Sequence, residues 1–318
     1  MRKTSFSSIA RELGVSTALV SNVMRNTSTT TLAGEATKQR ILDAAWRKGL
    51  RLSNTIGIIV PEEVRRHEAL FYPGFAGITE RCAKLGFSSS LFITDTGTTA
   101  IPDFLLERNA CGIIFWNEAP DHMLRFAAEE KIPFVILNPQ REYPEADTVS
   151  FNDYATMREL LEYLYRKSYR DYVFISGNGL RYIEEQKRAF RDFLKEKNGS
   201  GTLFDRLERN MAELKKMVSE SNENTVFITF FRYESMKLLE YFARYSKTFP
   251  KDGGVVASNL LAEFYTPRLT AIVNPYYESG NRVVDMIAEK WKKHKLFLRE
   301  RIVLLGAILK NPSTGGPE

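Results

Sequence analysis

The chain has three histidines, His67, His122 and His294, set far apart among charged, surface-like neighbours. It contains no H-x-x-x-H, no paired-cysteine metal spacing, no G-x-S-x-G and no Walker loop, so neither a metal centre nor an activated nucleophile is laid out. "SGNGL" (Ser176–Leu180) looks superficially like a glycine-rich phosphate turn but lacks the full pattern. No enzyme activity, metal or cofactor is therefore expected. The polar side chains with informative spacing stand near the start, in "IARELGVSTALVSNVM" (Ile9–Met24). There Ser, Thr and Asn occupy the outer face of a short apolar-periodic run. Taken alone, such residues do no more than solvate a small bundle.

The elements that position them can be read from periodicity. Ile9, Ala10 and Leu13 share one helical face, and Leu19, Val20, Val23 and Met24 form a second. Gly14 supplies a tight turn between the two helices, and Ser16 is placed to cap the second. "GEATKQRILDAAWRKG" predicts a third helix, with Ile41, Leu42, Ala45 and Trp46 facing inward. Three short helices around one core, two of them tightly turned, read as a helix-turn-helix unit over 1–50. Residues 1–52 carry nine Lys/Arg against three acids, a net +6 that equals the charge of the whole chain. A basic head on a neutral body suits a polyanion, although a merely solubilising head has the same charge.

"FSSIARELGVSTALVSNVM" resembles the start of the LacI/GalR family of bacterial transcription regulators, whose pattern is roughly I-x-D-I-A-x-x-A-G-V-S-x-x-T-V-S-x-V-L-N. The I-A, G-V-S and V-S-x-V match in register. The resemblance implies that Thr17, Ala18 and Asn22 reach base edges in the major groove of double-stranded operator DNA. Asn suits adenine N6/N7, and Thr and Ala methyls suit the thymine methyl. Ser16, Ser21 and Arg25 would then hold phosphates. Two departures stand out. "RNTSTTTLAG" is about three residues longer than the family's loop, and only a shortened linker over 51–55 joins head to body. The family's Y-x-P-N-x-x-A-R-x-L hinge segment, which wedges a leucine into the minor groove, is absent, and Leu52 is a poor replacement.

From Ile56 onward, short apolar runs alternate with amphipathic helices, which predicts parallel sheets of βαβ units. "IGIIV", "SSLFIT", "GIIFW" and "PFVIL" form one set, and "YVFIS", a weak "TLF", "TVFIT" and "GVVAS" the next. The landmarks "CGIIFW", "IPFVILN", "VSFNDYAT" and "YTPRLTAIVNPYYESG" are similar to the family's D-G-I-I, I-P-V-V-x-x-D, V-x-x-D-N-x-x-G and F-x-P-x-L-T-T-I-x-x-P-x-x-x-x-G. The resemblance implies an α/β, periplasmic-binding-protein-like body of two doubly wound parallel-sheet subdomains over 56–318. The first is placed at about 56–150 plus 261–275, the second at about 151–260 plus 276–318. Chain crossings are expected near 150–153, 258–262 and 273–277.

In that family the body grips a sugar or purine between its subdomains. The ligand arginine falls on Gln186, the Asp or Asn after the "TVFIT" strand on Phe231, and the G-x-D-D aspartate on Asn259. Phe71 keeps the family's aromatic platform, and Trp116 and Asn117 end a strand on the cleft side. Losing the arginine fork and a carboxylate leaves sugar hydroxyls unpaired, at about 1–3 kcal/mol each, so an ordinary monosaccharide held by the usual contacts is not expected. Either the cleft takes a more apolar or aromatic ligand, or it is packed shut and the body only dimerises. The chain shows no signal peptide and no apolar run long enough to span a membrane, and Cys82 and Cys111 read as buried reduced thiols. A cytoplasmic homodimer is expected.

Overall fold

The computed structural model describes residues 5–25, 34–47, 54–66, 68–95, 101–102, 105, 110–130, 132–177, 179–262, 264–293 and 299–316. The long Thr-rich loop, most of the linker with Leu52, His67, His294 and most of 101–109 lie outside the described residues. Contacts divide the chain into two units, Met1–Ser150 with Tyr276–Ile302, and Phe151–Pro275 with Val303–Glu318.

The first unit begins with three helices, α1 (Phe6–Leu13), α2 (Thr17–Arg25) and α3 (Glu35–Arg47). Helix α1 ends at Gly14, whose φ of 67° only a residue without Cβ adopts freely. The N–H groups of Gly14 and Val15 both return to the Ala10 carbonyl. Ser16 then opens α2, its Oγ accepting from Leu19 N–H at 3.1 Å. Ile9, Ala10, Val20, Val23, Met24, Ile41, Ala44 and Ala45 fill the core among the helices, with Leu13, Leu19 and Leu42 at its rim.

The rest of this unit is built on β1 (Thr55–Pro61), α4 (Glu62–Arg66), α5 (Glu68–Leu85), β2 (Ser88–Thr94), β3 (Gly112–Trp116), α6 (Asp121–Glu129), β4 (Phe134–Leu137) and β5 (Asp147–Phe151). The strands run parallel in the order β2-β1-β3-β4-β5. Strand β3 is buried from end to end and β1 over all but its two end residues, as strands covered on both faces must be.

The second unit repeats the plan with α7 (Asp153–Arg166), β6 (Asp171–Ile175), α8 (Arg181–Lys197), β7 (Ser200–Phe204), α9 (Met211–Glu220), β8 (Thr225–Thr229), α10 (Arg232–Arg244), β9 (Gly254–Val256), α11 (Asn259–Ala262) and β10 (Ala271–Val273). Its parallel sheet has the order β7-β6-β8-β9. Residues alternate between two cores. Val173, Ile175 and Phe227 join Leu238 and Phe242 on one face, while Phe174 and Ile228 join Phe190 and Phe193 on the other.

The chain then forms α12 (Tyr276–Lys293), the edge strand β11 (Arg301–Leu304) of the larger sheet, and β12 (Ala307–Leu309), which pairs antiparallel with β10. This course corrects the expected subdomain assignment. Segment 261–275 stays in the second unit, because Ala262, Leu269 and Ala271 are buried in its core and Val256 bridges to Thr270. Segment 276–302 belongs to the first unit. Ile287 abuts Gly112 so closely that a side chain at 112 would not fit, and Asp285 pairs with Arg81 at 2.7 Å. The crossings therefore fall at 150/151, 275/276 and 302/303, and none occurs at 258–262.

Candidate functional sites

Helix α2 is amphipathic in the strict sense. Its inner face, Val20, Val23 and Met24, is buried in the three-helix core. Its outer face carries Thr17 and Ala18, both exposed, and Ser21 and Asn22, both half-buried. These four recur at i, i+1, i+4 and i+5, so they line one stripe of the helix. Ser16 is exposed at the end of the same stripe, and its cap uses the oxygen as acceptor, leaving the O–H proton to donate elsewhere. Arg25 closes the helix, and its side chain lies outside the described residues. The stripe thus presents hydroxyls, a methyl surface and one amide on a rigid element, with no carboxylate among them.

In the first unit the residues singled out for ligand binding gather at the C-terminal ends of β3 and β4. In open parallel sheets, ligands bind at such ends, most often where the strand order reverses, here between β1 and β3. Phe71 and Trp116 are brought together, their ring centroids 5.7 Å apart, with Phe75 stacked on Phe71 at 5.3 Å. Trp116 is only 1% exposed and Phe71 6%. Instead of standing as open stacking platforms, the two rings are packed into a cluster that Gly74 makes room for: a Cβ at 74 would come within 2.6 Å of the indole. Asn117 takes a left-handed backbone with φ of 63°, and its Oδ1 accepts from Asn138 Nδ2 at 3.0 Å. Asn138, with φ of 54°, makes the same turn after β4. Asn138 occupies the position of the aspartate in I-P-V-V-x-x-D, a signal that the sequence carried and that went unused.

In the second unit, Gln186 and Phe231 converge on one corner. The Phe231 ring lies against Gly177, just beyond β6, as does Ile183, one turn before Gln186 on α8. Gln186 is buried at 7% exposure, and Phe231 is half-buried before α10. Asn259 stands one strand further along, at the first residue of α11 after β9. Lys187, next to Gln186, is buried and paired with Asp205 at 2.7 Å and Glu184 at 3.1 Å. Sequence reading missed Ser176, the residue that ends "YVFIS". Its hydroxyl is buried at the C-terminal end of β6 without a hydrogen-bond partner, as is that of Thr229 at the end of β8.

No family model matches the chain. The HTH-type transcriptional regulator DegA of Bacillus subtilis is 25% identical over 344 residues, covering 98% of both chains. Among solved structures, the lac repressor dimer bound to operator and the anti-inducer ONPF gives a TM-score of 0.68 at 15% identity, covering 98% of this chain and 99% of that one. A LacI family transcriptional regulator from Enterococcus faecium with bound ribose gives 0.67 at 18% identity, covering 83% of this chain and 100% of that one. Aligned along nearly its whole length with DegA and sharing the fold of the lac repressor, the chain is similar to LacI/GalR-type transcription regulators.

Proposed function

We propose that this protein is a sequence-specific DNA-binding regulator, acting as a repressor, whose three N-terminal helices form a helix-turn-helix reading head. The observation that carries the reading is the outer stripe of α2, Thr17, Ala18, Ser21 and Asn22, held off the core by the buried Val20, Val23 and Met24. Thr17, Ala18 and Asn22 read base edges in the major groove, and Ser16, Ser21 and Arg25 hold phosphates. The excess of basic residues in 1–52 supplies the sequence-independent attraction. Two copies, paired through their bodies, place two heads on a two-fold-related operator. The body senses a small molecule at the C-terminal ends of its strands, and with Gln186, Phe231 and Asn259 in place of charged groups the ligand is more apolar than a sugar.

The test is selection of bound DNA from a random library at stated salt, with wild type and Asn22→Ala side by side. A two-fold-related site that loses preference at one base per half in the variant supports the reading. Weak, sequence-independent binding by both proteins overturns it. A body that only pairs the heads is the second reading, favoured by the burial of Trp116 and Phe71. A ligand library that never raises the melting temperature decides for it.

A further inference from the structure

The three places where the chain passes from one unit to the other are tied together inside the second unit by a small polar node. Asn152, just past the first crossing, donates its N–H to the Leu304 carbonyl, just past the third, at 2.8 Å. Its side chain caps α7 by accepting from Ala155 N–H at 3.0 Å. Thr156, one turn on, accepts the Gly306 N–H at 3.0 Å. A side chain at 306 would run into Asn274 Oδ1 and the Thr156 methyl, so only glycine allows the approach. Asn274 precedes the second crossing and hydrogen-bonds the carboxyl of Asp153. Below the node, Val273 pairs with Ala307 as β10 meets β12.

Asp153 is the one carboxyl in this node. It is 7% exposed at the first residue of α7. The motif that "VSFNDYAT" resembles has Asp followed by Asn, whereas this chain has Asn152 followed by Asp153. The exchange moves a titratable group from the cap, where an acid is commonplace, to a buried position that the motif fills with a neutral amide. We propose that Asp153 is a proton-operated latch on the three crossings: protonated, it packs as a neutral partner of Asn274 and holds the node closed, and ionised, it opens the node and frees the crossings to move.

Burial pushes this carboxyl up to about 7, the Asn274 hydrogen bond and its own backbone N–H opposing the rise. The charged groups acting on it come from α8, Glu185 raising it further and Arg181 lowering it. Opening returns the carboxyl towards its ordinary range, so between pH 6 and 8 the open fraction of the node grows on the order of tenfold. The latch is a property of the body and stands whether or not the head reads DNA.

The experiment is amide hydrogen exchange on the full-length chain at pH 6 and 8, corrected for intrinsic chemistry, in wild type and Asp153→Asn. In wild type, protection at 150–156, 272–276 and 302–308 falls on the order of tenfold from pH 6 to 8, while the buried strands β6 and β8 hold theirs. In Asp153→Asn the crossings keep equal protection at both pH values. A wild type with unchanged crossings, or a variant that changes as much as wild type, overturns the proposal. Should the variant not fold, the carboxyl signals of wild type labelled with carbon-13 at aspartate decide. One titrating near neutrality and broadening with its neighbours at the crossings supports the latch, and none titrating above about pH 5 overturns it.

Discussion

Asn22 and Ser16 stand on the same short helix and answer to different physics. Asn22 has an amide on the outer stripe of α2, able to bond an adenine through both its atoms, so Asn22→Ala is expected to cost about 1–3 kcal/mol at a single base pair per half-site and to leave the others as they were. Competition binding against single-base operator variants measures this. Ser16 instead holds the helix start, and Ser16→Ala removes the acceptor of Leu19 N–H, destabilising the head by about 1 kcal/mol and weakening all DNA sequences alike. Denaturant unfolding followed on the three-helix head, with the same competition assay, separates the two roles. The cysteines give a third residue-scale expectation. Cys82 and Cys111 are buried and outside any disulfide, and burial pushes the Cys82 thiol up to about 12. A thiol held neutral in this way is a poor nucleophile, so Cys82 should react with a disulfide reagent only as fast as the chain unfolds.

Between elements, the packing of α5 on α12 depends on glycine. A Cβ at Gly77 would strike the Tyr277 carbonyl, and one at Gly280 the Gly74 carbonyl, both backbone atoms that no rotamer change can move aside. Gly280→Ala therefore forces the helices apart and should destabilise the first unit by about 1–3 kcal/mol, although alanine has the better helix propensity. An exposed glycine such as Gly34, which has open space around it, serves as the control. This pair also shows where sequence reading stopped. The buried strands β1, β3 and β8 were legible because a strand covered on both faces must be apolar throughout, and α8 and α10 because one face of each is apolar at helical spacing. Which unit each of the late segments joins was not legible. Residues 261–275 and 276–302 both carry the apolar residues of a core, and nothing in their periodicity says which unit's core they enter. Nor did the pattern reveal that Trp116 would be packed under Phe71, since an aromatic at a strand end reads the same whether it lines a site or fills one. The node at Asp153 was hidden for a related reason: Asn274 and Gly306 stand 122 and 154 residues beyond Asn152 in sequence, and only the fold brings the three together.

For the molecule as a whole, the divided charge and the buried carboxyl set how it answers its solution. The basic residues in 1–52 and the neutral remainder confine salt dependence to the head, so Arg25→Ala should lower the slope of log affinity against log salt by about 1 per head, and Asn22→Ala should leave it unchanged. The pH response originates elsewhere. Asp153 has its folded value raised to about 7 from an ordinary 3.8, so between these values the folded chain binds a proton that the unfolded chain has released. Stability contributed by this group is therefore complete below about pH 4, falls as pH rises, and levels off above 7, the opposite of a salt-bridged carboxylate. The full loss is on the order of 4 kcal/mol, enough to matter in a protein of ordinary stability. Asp153→Asn keeps the shape and removes the charge. It should melt above wild type at pH 8, by a margin that narrows steadily towards pH 5, as scanning calorimetry across that range will measure. A margin that is constant with pH would mean that the carboxylate is accommodated at no cost, and that the node does not sense protons.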